Sequence, residues 1–246
     1  MKISKVILSS TNDEFLNFYP LVSQAWRNLD IEPILFLING EEKEDPSIIN
    51  IDFSSENIDN IFISQNIRLL APCLYPDDVL ILSDIDMMPL SKEYFQGSIS
   101  EYADNQFINM RKNVVKGNMY PICYSVAHGE TWREIFKVDN MNSIKTLISE
   151  WYHNDYVKFS ESWYFDQIKL FQSVTTFASD QQDRFVELDD SITKFCRLNR
   201  TNLKWRFSKF YDESIEYTDF HMPRPYKKYE KIINKVYEKT FIPGSQ

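Results

Sequence analysis

Four consecutive apolar residues, Val79-Leu80-Ile81-Leu82, run into Ser83-Asp84-Ile85-Asp86, where two carboxylates stand one residue apart. The run is too short and too uniformly apolar for an amphipathic helix, and it predicts a strand buried on both faces of a largely parallel sheet. Asp84 and Asp86 then lie at the carboxyl end of that strand. Side chains alternate along an extended chain, so positions i and i+2 point the same way, and two such carboxylates can share one divalent cation. That edge of a parallel sheet is also where open α/β folds bind their ligands. Taken alone, the pair serves equally well to cap a helix or to solvate a loop.

With 246 residues, 43% of them hydrophobic, the chain has material for one large α/β domain over 1–246. No stretch approaches the length of a membrane span, and the apolar run in Met1–Ser10 is too short for a signal peptide. Cys73, Cys123 and Cys196 lie far apart and outside any Cys-x-x-Cys pair, which suggests neither a disulfide framework nor a zinc site. The expectation is a soluble cytoplasmic protein. The 5 glycines form no phosphate-binding loop, so a bound nucleotide has to be held by another device, such as a metal ion and basic side chains. The net charge of -9 conceals an asymmetry: residues 194–239 carry 12 Lys and Arg against 6 Asp and Glu. This basic end suits an anionic partner or a solvated helical surface.

Read in order, the pattern predicts a strand at Ile3–Leu8 ending in Ser9-Ser10-Thr11-Asn12, small polar groups able to receive a nucleotide or cap a helix. An amphipathic helix follows from Asp13 to Leu29, interrupted at most by Pro20, then strands at Ile34–Ile38 and Ile61–Ser64. A short helix from Gln65 to Tyr75 carries Arg68, and Ser91 caps a helix running to about Ala103. Further strands are predicted at Gln106–Met110, Tyr120–Ala127, Val174–Phe177 and Phe185–Leu188, with helices after His128, at Met141–Trp151 and from Trp163. Asp219–Tyr226 reads as a proline-stiffened loop leading to a basic helical segment at about 225–240. Strand, helix and strand at this spacing predict right-handed βαβ crossovers.

Four pieces stand in a telling order: Ile67-Arg68-Leu69-Leu70 before the central strand, Ser83-Asp84-Ile85-Asp86 after it, Asp166-Gln167 some way on, and His221–Tyr226 near the end. Together they resemble the GT-A glycosyltransferases, above all the retaining family of bacterial lipopolysaccharide galactosyltransferases and glycogenin. That family has an Arg-Leu helix, a strand ending in Leu-Asp-x-Asp, an Asp-Gln pair and a late His-Phe-x-Gly-x-x-Lys-Pro-Trp. Here Ser83 stands for the leucine, the late motif lacks its glycine, and Arg224 and Tyr226 replace lysine and tryptophan.

The resemblance implies a GT-A fold, with a mostly parallel sheet flanked by helices, and transfer of a sugar from a nucleotide-diphosphate donor such as a UDP-sugar. It implies Mn²⁺ or Mg²⁺ bound mainly by Asp86 with His221, while Asp84 shares the metal or holds the ribose. It implies donor contacts at Arg68, Arg224 and Lys227; Ser9 and Thr11 join the donor site on their own position after the first strand. Asp166 and Gln167 match the pair beside the anomeric carbon, where they support an oxocarbenium-like transition state in a retaining enzyme; in an inverting one Asp166 is the general base. Gln167 favours retention. The acceptor is expected to be a saccharide or lipid-linked glycan. A phosphate-bearing one such as phage DNA would be gripped by Arg197, Arg200, Lys204, Arg206 and Lys209 interleaved with Phe195, Trp205, Phe207 and Phe210. Tyr120, Tyr124, Trp132, Trp163 and Tyr164 read as sugar-stacking surfaces or as core.

Two other readings compete. A haloacid-dehalogenase-type phosphatase also ends a strand in Asp-x-Asp, with Asp84 as nucleophile and Asp86 as acid/base, but Met88 stands where that family wants Thr or Val. A GT-A module that binds nucleotide without transferring sugar is the other.

Overall fold

The computed structural model describes residues 1–11, 13–114, 117–156, 163–204, 211–212 and 214–242. The predicted buried strand is β4 (Val79–Leu82), with every residue buried. β1 (Lys5–Ser10) lies beside it in parallel, followed by β2 (Glu32–Ile38) and β3 (Ile48–Ile51), also parallel. On its other side β7 (Ser125–His128) runs antiparallel, then β6 (Phe107–Asn109) and β8 (Phe185–Glu187) complete a 7-stranded sheet in the order β3-β2-β1-β4-β7-β6-β8. The mostly parallel, helix-flanked α/β architecture is as predicted.

Alternation along the strands divides the core between the two faces of the sheet. Val6, Leu8 and Ile81 pack on one side with Trp26, Phe95, Tyr124, Ile233 and Val236, while Ile7, Leu80 and Leu82 pack on the other with Phe62, Ile67, Trp132 and Leu170. The first face is covered by α2 (Tyr19–Asn28) and, at the C-terminal end, by the last helix, α9 (Tyr226–Phe241). The opposite face is covered by α3 (Asn60–Leu70), α5 (Gly129–Phe136), α6 (Met141–Trp151) and α7 (Phe165–Asp180). Short helices α1 (Asp13–Leu16), α4 (Lys92–Phe95) and α8 (Asp190–Thr193) complete the set described. Among the described residues no helix is long and apolar enough to cross a membrane.

Several elements differ from the sequence reading. Ile61–Ser64 is the first turn of α3: Asp59 caps it by accepting from the Phe62 amide at 2.9 Å, and Phe62, Ile63, Asn66, Ile67 and Leu70 bury at helical spacing, overriding the β-branched pair. The third strand falls instead at Ile48–Ile51. Val174–Phe177 likewise lies inside α7, where Phe165, Leu170, Val174 and Phe177 form its buried stripe. The Asp13–Leu29 helix is two, because Pro20 sits in the first turn of α2, where its missing N–H leaves no bond unmade. Ser91 does cap a helix, accepting from the Tyr94 amide at 3.1 Å, but α4 ends at Phe95.

The stretch expected to be a loop at Asp219–Tyr226 begins as a strand. β10 (Asp219–His221) pairs antiparallel with β5 (Met87–Pro89) and parallel with β9 (Arg197–Asn199), forming a second, 3-stranded sheet. Its anchor is the buried Asp219 carboxylate, which accepts from the Tyr124 hydroxyl at 2.7 Å and from Arg197 Nη2 at 2.6 Å. This small sheet decides the site.

Candidate active site

Two registers bring the polar residues together. In the large sheet Ile7 pairs with Leu82 and the Ser83 amide donates to the Ile7 carbonyl at 3.2 Å, so the end of β1, Ser9–Thr11, and the segment after β4, Asp84–Asp86, stand side by side. In the small sheet His221 pairs with Met87 and with Asn199, and the Met222 amide donates to the Asp86 carbonyl at 3.0 Å. Asp86, His221 and the residue after Asn199, Arg200, therefore converge. α3 contributes Ser64, Gln65 and Arg68, and the first turn of α7 contributes Asp166 and Gln167. Together they line a cavity of about 330 Å³ at the carboxyl edge of the sheet.

One end of the cavity is built on Asp86, of which 1% is exposed. Its Oδ2 accepts from Arg200 Nη1 at 2.8 Å and from Arg224 Nε and Nη2 at 2.7 Å, with His221 Nε2 at 3.4 Å. Burial alone would push this carboxyl up; the His221 hydrogen bond and the Arg224 charge outweigh it and hold the pKa down at about 2. Arg224 also lies over the Phe15 ring, 4.7 Å from its centroid, which fixes the plane of the guanidinium.

The other end is built on Arg68. Its Nη1 pairs with Asp84 Oδ1 and its Nη2 with Asp166 Oδ2 at 2.8 Å, so one guanidinium bridges two carboxylates. Asp84 is further fixed by its amide, which donates to the buried Cys123 sulfur at 3.1 Å. Asp166, also 1% exposed, is driven in the opposite direction from Asp86: burial raises its pKa, and Arg68 and the Gln167 amide at 2.8 Å offset that only in part.

Of the residues expected from sequence, Ser9, Thr11, Arg68, Asp84, Asp86, Asp166, Gln167, His221 and Arg224 all line the cavity. Ser9 does so with its hydroxyl already given to the Ser64 carbonyl at 2.7 Å, which ties β1 to α3. Lys227 does not line it: Pro225 stands just before α9, and the lysine in the first turn of that helix is exposed to solvent. Of the basic segment expected to grip a phosphate-bearing acceptor, Arg200 lines the cavity and Arg197 is held on Asp219; the Lys204 side chain, Trp205, Arg206, Phe207, Lys209 and Phe210 lie outside the described residues. Tyr120, Tyr124 and Trp132 are core, whereas Trp163 is 62% exposed on the cavity rim with Ile61, itself 50% exposed.

Arg200, Phe15, Ile61, Ser64, Gln65, Ile85 and Trp163 also line the cavity, without having been assigned to the donor, metal or catalytic site from sequence. Arg200 was visible only as one positive charge in a basic stretch. Its role depends on the small sheet.

Asp84, Asp86 and His221 supply the hard oxygen and imidazole donors that Mn²⁺ accepts. Their arrangement does not fit a shared ion: Asp84 is turned to Arg68, and the Asp86 oxygen nearest His221 is occupied by two guanidinium groups. Among the described residues, no three of His, Cys, Asp and Glu stand so as to hold a metal together.

No protein-family model matches the chain, and no curated protein does. Among solved structures, the glycosyltransferase GlyE of Streptococcus pneumoniae TIGR4 matches over 100% of this chain and 66% of its own, with TM-score 0.50 and 12% identity. The chain thus spans just under two thirds of that protein's length. A glycosyltransferase involved in glycosylation of the major capsid of PBCV-1 matches over 93% of this chain and 99% of its own, with TM-score 0.48 and 10% identity. What the chain shares with GlyE at this identity is the fold.

Proposed function

We propose that this chain is a glycosyltransferase that takes a sugar from a nucleoside diphosphate donor, a UDP-sugar foremost, and places it on an acceptor hydroxyl. The observation that carries this reading is the division of charge in the cavity. Arg200 and Arg224 share one carboxylate, leaving that end positive, while Asp84 and Asp166 share one guanidinium, leaving the other end negative. A nucleotide sugar is anionic at its diphosphate and becomes cationic at the anomeric carbon as the glycosidic bond breaks. A site with these two ends complements both.

In this reading the bond from the anomeric carbon to the diphosphate oxygen breaks, the nucleoside diphosphate leaves towards the arginines, and the acceptor oxygen bonds to the anomeric carbon as its proton passes to the departing diphosphate oxygen. Asp166, held by Arg68, faces the developing positive charge with Gln167 beside it, and the Asp-Gln pair supports retention. If the anomeric configuration inverts, Asp166 is the general base, a task that its raised proton affinity suits. Trp163 on the rim offers a stacking face to an acceptor saccharide, free or lipid-linked. No step relies on a metal ion.

The phosphatase reading asks Asp86 to give and take a proton, whereas its three partners hold it ionised. The deciding experiment is a panel of UDP-, GDP-, CDP- and dTDP-sugars, following nucleoside diphosphate release with and without acceptor saccharides. Turnover of one donor, lost in Asp166→Asn while the donor still binds, is the expected result. Tight nucleotide binding with no turnover of any donor would make the chain a non-catalytic module, and a trapped aspartyl phosphate would make it a phosphatase.

A further inference from the structure

The residues around Asp86 disagree with the metal site that the sequence motif leads one to expect. The oxygen that ought to face a cation already faces two guanidinium groups, at 2.7 and 2.8 Å. A divalent ion on that oxygen would sit among like charges, and the arginines would have to leave before it could bind.

We propose that Arg200 and Arg224, oriented by Asp86, are themselves the cation that binds the donor diphosphate, so that donor binding needs no divalent metal. The inference rests on reading the site as one for a nucleoside diphosphate sugar. Three features support it. First, the two arginines meet on a single buried carboxylate oxygen, which sets them side by side and leaves one net positive charge. Second, both side chains reach the cavity, with 30% of Arg200 and 37% of Arg224 exposed, so the guanidinium edges not turned to Asp86 are within reach of a ligand. Third, a guanidinium carries five N–H donors in a fixed planar fork that matches phosphate oxygens in pairs, and contacts to Asp86 engage only part of each fork. Asp86 is then a positioning residue: its carboxylate prevents the two arginines from repelling one another out of the site. Arg200 comes from the end of β9 and Arg224 from the turn after β10, so the three-stranded sheet is the scaffold of the clamp.

The test is calorimetric titration of UDP, GDP, CDP and dTDP, and of the matching nucleosides, into the full chain in EDTA and in Mn²⁺. The inference predicts that at least one nucleoside diphosphate binds in EDTA with an affinity within about threefold of that in Mn²⁺, a difference under 1 kcal/mol. Arg200→Gln and Arg224→Gln should each weaken that binding by roughly tenfold or more, the loss of one charge-assisted contact. Arg200→Lys and Arg224→Lys should recover only part of it, because the charge returns without the fork. Nucleoside binding should be the same in every variant, which also shows that each is folded. Binding that appears only with Mn²⁺, or that is unmoved by Arg200→Gln, overturns the arginine clamp and leaves the glycosyl-donor reading standing. Absence of binding by every nucleoside diphosphate in both conditions overturns the two together.

Discussion

Asp86 and Asp166 stand at the two ends of one cavity, each 1% exposed, and their environments push them apart. Burial raises both. Asp86 has two arginines and a histidine on one oxygen and falls to about 2, whereas Asp166 has half of one arginine, shared with Asp84, and rises above the ordinary range. Equal burial therefore produces opposite chemistry, decided by how many cations each carboxylate has to itself. Such divergence between two carboxylates in one site separates a fixed counter-ion from a group able to exchange a proton or answer a developing charge.

The comparison breaks most visibly in turnover. Asp166→Asn removes the negative end of the cavity and should lower the rate of sugar transfer on the order of a thousandfold with donor affinity nearly unchanged, as steady-state kinetics would measure. Equal loss of donor binding would make Asp166 a structural residue. The same contrast predicts opposite effects on stability. Asp86→Asn strands two facing guanidinium groups and should cost about 2–3 kcal/mol in urea unfolding, while Asp166→Asn removes a disfavoured charge and should be neutral or stabilising near pH 7.

The pH dependence sharpens this. Because the folded pKa of Asp86 lies below that of an unfolded aspartate, near 3.9, its ionised form stabilises the fold above about pH 4, and this is lost as pH falls towards about 2. The stability gap between the wild type and Asp86→Asn should narrow across that window. Asp166 has the opposite sign: its folded state holds a proton more tightly, so its contribution is full below about pH 4 and declines as pH rises towards its elevated pKa. Smallest of all, Trp163→Ala should raise the acceptor KM roughly tenfold and leave the donor KM unchanged, the loss of one stacking face.

Much of this site was legible in the sequence because its parts border strong local signals. β4 ends at Asp84 and Asp86, and the Asp166-Gln167 pair opens a helix whose aromatic start is plain. Arg68 sits on a helix whose apolar spacing marks its lower half, although the upper half, Ile61–Ser64, reads as a strand until Asp59 is seen to cap it. Arg200 was hidden for a different reason. Its position follows from a sheet of three-residue strands drawn from around 87, 197 and 219, each too short to carry a period and paired only through contacts remote in sequence. The anchor of that sheet, Arg197 on Asp219 beneath the Tyr124 hydroxyl, is equally non-local. The metal expectation came from the family resemblance, whose Asp-x-Asp and late histidine specify ligands but not the cations that meet them.

The most direct test is a carboxyl-carbon NMR titration of the protein labelled at aspartate, with Asp86→Asn and Asp166→Asn used to assign the two resonances. Asp86 should stay ionised down to about pH 2, and Asp166 should take up its proton above the usual aspartate range. Coincident titrations near pH 4, or Asp86 protonating before Asp166 as pH falls, would contradict the division of the cavity into a positive and a negative end.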